Sequence, residues 1–386
     1  MNESIQIRTL TDGGQQPAAI AQAIATFLDE ATTSLDLAQY DFNLLPETAA
    51  IVGDAIRRAA ARGVTIRFLY NVDHVNPIPV PPPPEPDVQL IATLPVEGKA
   101  IAGVPDLMHH KYVIRDGKTI WTGSLNWTDD SFSRQENVVV VVESEALAKA
   151  FELDFEQLLL TGDVAKSGFV DPRWVDDARP WFTPGHGEDL SIRIAKMIRR
   201  AKTRVRICSP VITTAPVLGT LAEVITDGTV DVAGCVDATQ VQEVIRQWNV
   251  NRQVSWKLPL LQRVMAGPFT GKISTPYGPG TVHDFMHAKV TVCDDTVFVG
   301  SFNLSRSGEQ NAENVLEIKD AELADRLAAF VDEVRAKYGP VQLPSPDELV
   351  QHRRRWFERL RRRRRRRSPA VAVDQVGQVP PTRPQP

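Results

Sequence analysis

The stretch MHHKYVIRDGKTIWTGSLN, Met108 to Asn126, gathers two histidines, two lysines, an aspartate and a Gly-Ser-x-Asn turn within nineteen residues. Between these polar groups YVIR and TIWT alternate as strands do, around a tight Asp116-Gly117 turn. A second stretch, MHAKVTVCDDTVFVGSFN from Met286 to Asn303, repeats the order with Asp294-Asp295 at its turn. Residues two apart on a strand share a face, so His109 points with Lys111 and His287 with Lys289. The hairpin return carries Ser124 and Asn126, or Ser301 and Asn303, back beside them. Each motif is thus expected to bring imidazole, ammonium, hydroxyl and amide to one spot.

The flanking sequence repeats as well. IQIRTL reads as a strand, PAAIAQAIATFLDEA as a helix, SLDLAQYDF as a strand, TAAIVGDAIRRAAARG as a helix stopped by Gly63, and VTIRFLY as a buried strand. In the second half EDLSIRIAKMIRRA, TRVRICSPV, APVLGTLAEVI and TVDVAGCVD alternate as helix, strand, helix and strand. Strands alternating with helices twice over predict an α/β protein of two similar α/β/α lobes related by internal duplication. The expected divisions are an N-terminal lobe over 1–165, a connection over 166–187, a C-terminal lobe over 188–345 and an Arg-rich, disordered tail over 346–386. NPIPVPPPPEP (Asn76–Pro86) reads as a stiff polyproline-type loop. Trp248 to Tyr277 reads as an insertion, either a small satellite core or a loop covering substrate.

Bulk properties set limits on partners. Residues 351–386 hold twelve arginines against Glu358 and Asp374, so this tail is +10 and residues 1–350 are −14. A body this acidic is not drawn as a whole to nucleic acid or anionic membrane, so such attraction belongs to the tail or to a local site. Within the tail, HRRRWFERL fits an interfacial helix on anionic lipid and an arginine-rich nucleic-acid-binding segment about equally. There is no run of eighteen apolar residues. The N-terminus lacks a basic start and an apolar segment, and Cys208, Cys235 and Cys293 sit in apolar runs. These features predict buried thiols and a cytoplasmic protein, peripheral on a membrane through its tail.

The motif chemistry suits a phosphodiester. Lysines neutralise non-bridging oxygens, and Ser and Asn donate hydrogen bonds to them. Imidazole is the side chain whose ordinary pKa lies near neutrality, so it can attack or carry a proton. Two copies match a displacement with an entering and a leaving group in line. Such a histidine needs a carboxylate on its far nitrogen, and Glu136 and Glu313 are the candidates at matching positions. The spacings Asn126–Asn137 and Asn303–Asn314 are both eleven residues.

The H-x-K-x4-D-x6-G-S-x-N string resembles the signature of the phospholipase D superfamily, and the resemblance extends over about residues 1–340. The first copy, HHKYVIRDGKTIWTGSLNWT, looks most like the cardiolipin hydrolase branch, which includes phospholipid hydrolases and single-strand nucleases. The resemblance implies a phosphohistidine intermediate, no metal or other cofactor, and one active site shared at the lobe interface. It makes His109 the nucleophile and His287 the general acid/base, with Asp116 and Asp294 structural. The second copy departs from the pattern, with five residues instead of six between Asp294 and Gly300, a shortening expected to tilt that hairpin.

Several residues carry more than one reading. His110 faces away from His109 and is expected to be structural. HDFMH (His283–His287) mimics a zinc-protease motif, but one that requires a helix, whereas this segment runs into β-branched VTV. Trp127 either lines the pocket or caps the lobe core. The expected function is cleavage of a phospholipid to phosphatidic acid. The alternatives are a head-group transferase and a nuclease for single strands, the latter with a basic groove drawn from Lys99, Arg134, Lys257, Arg263, Lys272 and Arg306. Two motifs in one chain make a monomer sufficient.

Overall fold

The computed structural model describes residues 5–73, 86–278 and 281–367. The proline-rich loop, but for Pro86, and the tail beyond residue 367 lie outside the described residues. The first half runs β1 (Ile5–Leu10), α1 (Pro17–Asp29), β2 (Ser34–Gln39), β3 (Phe42–Asn43), α2 (Pro46–Ala61), β4 (Thr65–Val72), α3 (Val88–Ala92) and β5 (Glu97–Ala102). It continues with β6 (Lys111–Arg115), β7 (Thr119–Gly123), β8 (Trp127–Thr128), α4 (Asp129–Ser133), β9 (Asn137–Glu143) and α5 (Glu145–Thr161). The second half runs β10 (Ala178–Thr183), α6 (Gly187–Arg200), β11 (Arg204–Cys208), α7 (Ala215–Asp227), β12 (Asp231–Asp237), α8 (Ala238–Val250), α9 (Leu258–Met265) and β13 (Phe269–Lys272). It ends with β14 (Val290–Cys293), β15 (Thr296–Gly300), α10 (Arg306–Gln310), β16 (Glu313–Lys319), α11 (Ala321–Ala336) and α12 (Pro346–Arg367).

The strands build two seven-stranded sheets, ordered β1-β9-β7-β6-β2-β4-β5 and β10-β16-β15-β14-β11-β12-β13. Each strand of the second order is the counterpart of the strand in the same place in the first, which establishes the duplication. β2 pairs parallel with β4 and β11 with β12, as right-handed crossovers through α2 and α7 require. The motif strands β6 and β14 run antiparallel to β2 and β11, which puts each His-x-Lys at the carboxyl end of the parallel strands. α1 and α2 cover one face of the first sheet and α5 the other. Residues of α5 and α11 share a central core with β6, β9, β14 and β16, so the halves are joined by buried apolar contact. All three cysteines are free and buried.

The structure corrects the expected organisation in three places. The supposed connection contains β10, which pairs antiparallel with β16 as β1 does with β9. Pro180 hides it in the sequence, and as the edge strand of its sheet β10 tolerates a residue with no N–H to donate. The supposed insertion supplies α9 and β13, the counterpart of β5, with Phe269 in the lobe core; it is neither a satellite core nor a loop alone. The tail expected to be disordered is helical to Arg367. Its start is a reciprocal cap: Glu348 N donates to Ser345 Oγ at 3.2 Å, and Ser345 N to Glu348 Oε2 at 2.7 Å. Arginine is a good helix former, and Asn249 Nδ2 ties the first turn down through the Leu349 carbonyl at 2.8 Å.

Candidate active site

Each motif hairpin is clamped by its aspartate. Asp116 and Asp294 sit in left-handed backbone at φ 55° and 51°, a conformation aspartate tolerates in turns. Asp116 accepts from the amides of Thr32, Thr33 and Ser34 at 2.7–3.1 Å. Asp294 accepts from those of Lys202, Thr203 and Arg204 at 2.7–3.0 Å. Burial raises both carboxyls, but these donors outweigh it, holding Asp116 well below the carboxylate range and Asp294 at about 2. The one-residue difference between the motifs is absorbed in the turn. Arg115 pairs Thr119 across three turn residues and Cys293 pairs Thr296 across two, so the shorter hairpin keeps its strand pairing.

A stability prediction follows. Asp116→Ala should cost about 1–3 kcal/mol in urea unfolding, since the amides of Thr32, Thr33 and Ser34 lose a charged acceptor. Asp116→Asn should recover part of this through its carbonyl oxygen. Because Asp294 is depressed to about 2, below the ordinary 3.8, its contribution is complete above pH 4 and is lost as the pH falls toward 2.

The two motifs meet across the halves. Met108 bridges to Ala312, and Glu136 to Met286, as short parallel pairings. His109 N donates to the Ala312 carbonyl at 2.9 Å. These pairings carry Glu313 of the second half to His109 of the first, with Oε2 2.7 Å from Nδ1. His287 Nδ1 lies 3.1 Å from Asn137 Oδ1 of the first half. The lysines fold back alike: Lys111 Nζ donates to the His109 carbonyl at 2.8 Å, and Lys289 Nζ to that of His287 at 2.7 Å. All four side chains are buried.

Burial and crowding set the charges. Burial brings Lys111 down to about 7 against the pull of Glu313 and Asp41, and takes Lys289 well below its ordinary value. It pushes Glu313 up to about 7, with Lys111 opposing. His287 falls well below its ordinary value, through burial first and then the charges of Lys289 and Lys111. Both causes favour the neutral imidazole of His287.

Two expectations need correction. Glu136 does not reach His287: it takes Lys272 Nζ at 3.1 Å and the Tyr338 hydroxyl, both from the second half. The matching places in the first half, the β5 partner of Asn71 and the turn after α5, hold Ile101 and Gly162–Asp163, which leaves Glu313 free for His109. Ser124 and Ser301 face inward rather than toward substrate. Ser124 Oγ donates to Asn137 Oδ1 at 2.8 Å, orienting the carboxamide that faces His287, and Ser301 Oγ accepts from Asn314 N at 3.0 Å. Asn126 and Asn303 are buried, and each has an Oδ1 without a hydrogen-bond partner among the described residues; donation to a phosphate oxygen would fall to Nδ2.

Sequence reasoning missed four contributors. The Tyr40 ring lies 4.5 Å edge-on from His109 and 4.8 Å from Lys111 Nζ, and Asp41 is buried beside that lysine. Asn71 and Asp237, at the ends of β4 and β12, accept from the amides of Met108 (3.0 Å) and Met286 (3.2 Å), fixing the chain just before each histidine. Burial pushes Asp237 up to about 6. The equivalence of Asn71 and Asp237 becomes readable only once the strands are aligned.

The remaining ambiguities resolve. His110 Nε2 lies 2.9 Å from Asp154 in the core, as a structural residue should. Trp127 is buried in the first-lobe core. His283 stacks beside Tyr277 and Phe285 and donates through Nδ1 to the Thr275 carbonyl at 2.7 Å, on non-helical chain unlike the zinc motif.

The fold and the paired His-x-Lys sets define a duplicated α/β protein whose two motifs converge on one locus. The chain belongs to the phospholipase D-like family described as cardiolipin synthase, PLD-like domain, which matches residues 24–159 and 194–335. It is 25% identical over 143 residues to the mitochondrial cardiolipin hydrolase of Homo sapiens, covering 37% of this chain and 52% of that protein. It is 30% identical over 135 residues to a phospholipase D of Rickettsia conorii, covering 35% of this chain and 62% of that one. The chain thus spans less than two thirds of either relative. The phosphatidylserine synthase of Haemophilus influenzae Rd KW20 superposes with a TM-score of 0.64 over 94% of both chains at 13% identity, a likeness of fold.

Proposed function

We propose that the chain is a phosphodiesterase that cleaves a phospholipid on the head-group side of phosphorus, leaving phosphatidic acid. The observation that carries this reading is the Glu313 carboxylate of one half, 2.7 Å from Nδ1 of His109 in the other. With Nδ1–H donated to Glu313, the lone pair of His109 Nε2 attacks phosphorus and the bond to the head-group oxygen breaks. Lys111, Lys289, Asn126 and Asn303 take up charge on the non-bridging oxygens. An anionic phosphate offsets the lysine charges that hold His287 neutral, so His287 regains a proton and gives it to the departing alkoxide. His287 then takes a proton from water, whose oxygen attacks phosphorus and releases His109. The route as written needs no metal or other cofactor, and one chain suffices for it.

The names of the curated relatives favour a lipid. The basic groove expected of a nuclease finds less support. Arg134 is paired with Asp12, Lys272 is buried between Asp12 and Glu136, and Arg306 holds Glu188 and Glu309. Lys99 and Lys257 donate to the Leu159 and Thr213 carbonyls, and Arg263 to Thr226. Transfer to an alcohol in place of water would use the same residues. The Arg-rich segment takes an anionic partner in this reading, on the cytoplasmic face of a membrane; among the described residues no helix is long and apolar enough to cross one.

The test is incubation with mixed phospholipid vesicles in EDTA, with phosphatidic acid followed by mass spectrometry. Product is expected from the wild type and not from His109→Ala. Absence of any lipid product, with cleavage of labelled single-stranded DNA or RNA, would replace the lipid reading with the nuclease.

A further inference from the structure

Among the apolar side chains exposed at the loops that flank the paired motifs are Leu45 (63% exposed) and Val104 (49%) of the first half and Trp256 (58%) and Val282 (47%) of the second, with Ile273 (76%) in the same loop as Val282. Single apolar side chains at a surface are ordinary, so their placement has to carry the argument. Val104 and Val282 each lie five residues before a motif histidine, His109 and His287, in the loops that lead from β5 and β13 into the motifs. The halves thus repeat an exposed valine at the same distance from the same chemistry.

Hydrogen bonds tie Val282's loop to Leu45's loop in the other half, and charge sets Val104's loop beside that of Trp256. Leu45 N donates to Asp129 Oδ2 at 2.8 Å, and the adjacent Asp130 accepts from the amide of His283, next to Val282, at 3.1 Å. On the opposite flank Lys257, next to Trp256, donates to the Thr213 carbonyl at 3.1 Å. Thr213 N in turn donates to the carbonyl of Leu304, next to Asn303, at 2.7 Å. Arg306 lies within electrostatic range of both Lys257 and Asp106, the latter two residues after Val104. The first flank thus joins the approach loop of the second half to a loop of the first by hydrogen bonds, the opposite flank gathers Asp106, Lys257 and Arg306 of the two halves by charge, and each carries apolar side chains outward.

We propose that Leu45, Val104, Trp256 and Val282 form an interfacial docking rim that inserts into a phospholipid surface and brings a lipid phosphodiester level with His109 and His287. The proposal rests on the phosphodiesterase reading of the site. A bilayer sets phosphodiesters within a few ångströms of acyl chains, so apolar side chains around a phosphate site match its layering. A polynucleotide backbone offers phosphates with no such apolar layer. Tryptophan suits the boundary because its ring is apolar and its N–H can stay wet, and Lys257 Nζ, 5.7 Å from the Trp256 ring, places a cation at head-group depth.

The experiment uses the full chain with phosphatidylcholine vesicles at physiological salt, so that the arginines gain no net lipid charge to bind. The paired variant Leu45→Ser/Val282→Ser and the single variant Trp256→Ala are compared with wild type in vesicle co-sedimentation. Turnover of the soluble diester bis(p-nitrophenyl) phosphate is measured beside it. The expected result is vesicle binding about tenfold or more weaker in both variants, with a parallel loss on vesicular lipid and unchanged turnover of the soluble diester. Variants that bind vesicles as well as the wild type would overturn the rim, as would a wild type that turns over the soluble diester without binding vesicles. Rim substitutions that instead weaken binding of single-stranded DNA would assign these side chains to base stacking and also overturn it. Failure of the underlying reading is distinct: the wild type would then cleave neither the soluble diester nor any lipid.

Discussion

His287→Ala will turn over once and stop. With bis(p-nitrophenyl) phosphate the leaving group departs without a proton, so attack by His109 needs no general acid. The variant should release one equivalent of p-nitrophenolate per chain and then stall, because nothing remains to activate water. Intact-mass measurement should find the phosphoryl adduct on the peptide containing His109. His109→Ala should show no burst, and its steady-state turnover should fall by roughly 10⁴-fold or more, as when a nucleophile acting within a unit is removed. A burst in the His109 variant with an adduct on His287 would reverse the roles. The geometry favours the assignment given: His109 has a carboxylate on Nδ1 to stabilise the positive charge of a phosphoimidazole, whereas His287 faces the neutral Asn137 carboxamide.

Glu313→Gln should reduce kcat by roughly 10²–10⁴-fold, since it removes the charge that opposes the phosphoimidazole while keeping the shape of the contact. It should also change the pH profile. In the wild type, burial pushes Glu313 up to about 7, so the carboxylate form is lost, and activity with it, as the pH falls below 7. The glutamine variant should lack this limb in its residual activity. Stability moves the other way. A carboxyl raised above its unfolded value near 4.5 contributes stability that is complete below that value and lost as the pH rises through about 7. Above pH 7 the wild type therefore holds a costly buried charge, and Glu313→Gln should melt at or above the wild-type temperature at pH 8. A variant with full activity, or one much less stable at pH 8, would refute the role given to this residue.

The same arithmetic explains why the site is buried yet charged. Burial brings Lys111 down and pushes Glu313 up, so the two meet near pH 7 from opposite directions. A phosphate arriving with its own negative charge tips the balance toward charged lysines and a protonated His287. In the proposed mechanism, substrate binding would thereby be coupled to the protonation state that catalysis requires.

Some of this was determined by the sequence alone. The repeated His-x-Lys…Asp…Gly-Ser-x-Asn order, the period-two strands and the tight turns are local, and strand geometry forces His109 beside Lys111 and His287 beside Lys289. The two-lobed α/β architecture follows from helices and strands that alternate twice. Where local signals were masked, the reading slipped: Pro180 hid β10, and a run of like charges concealed the capping that starts α12. Tertiary structure decided which groups from distant segments meet. Matching spacings offered Glu136 and Glu313 as equals, and both sit at the same strand position. Yet only Glu313 reaches a histidine, because Lys272 and Tyr338 of the second half hold Glu136 and the first half has no counterpart to them. Asn71, Asp237 and the rim valines are likewise invisible until the sheets align, because which side chain meets a segment from another element depends on packing rather than on periodicity.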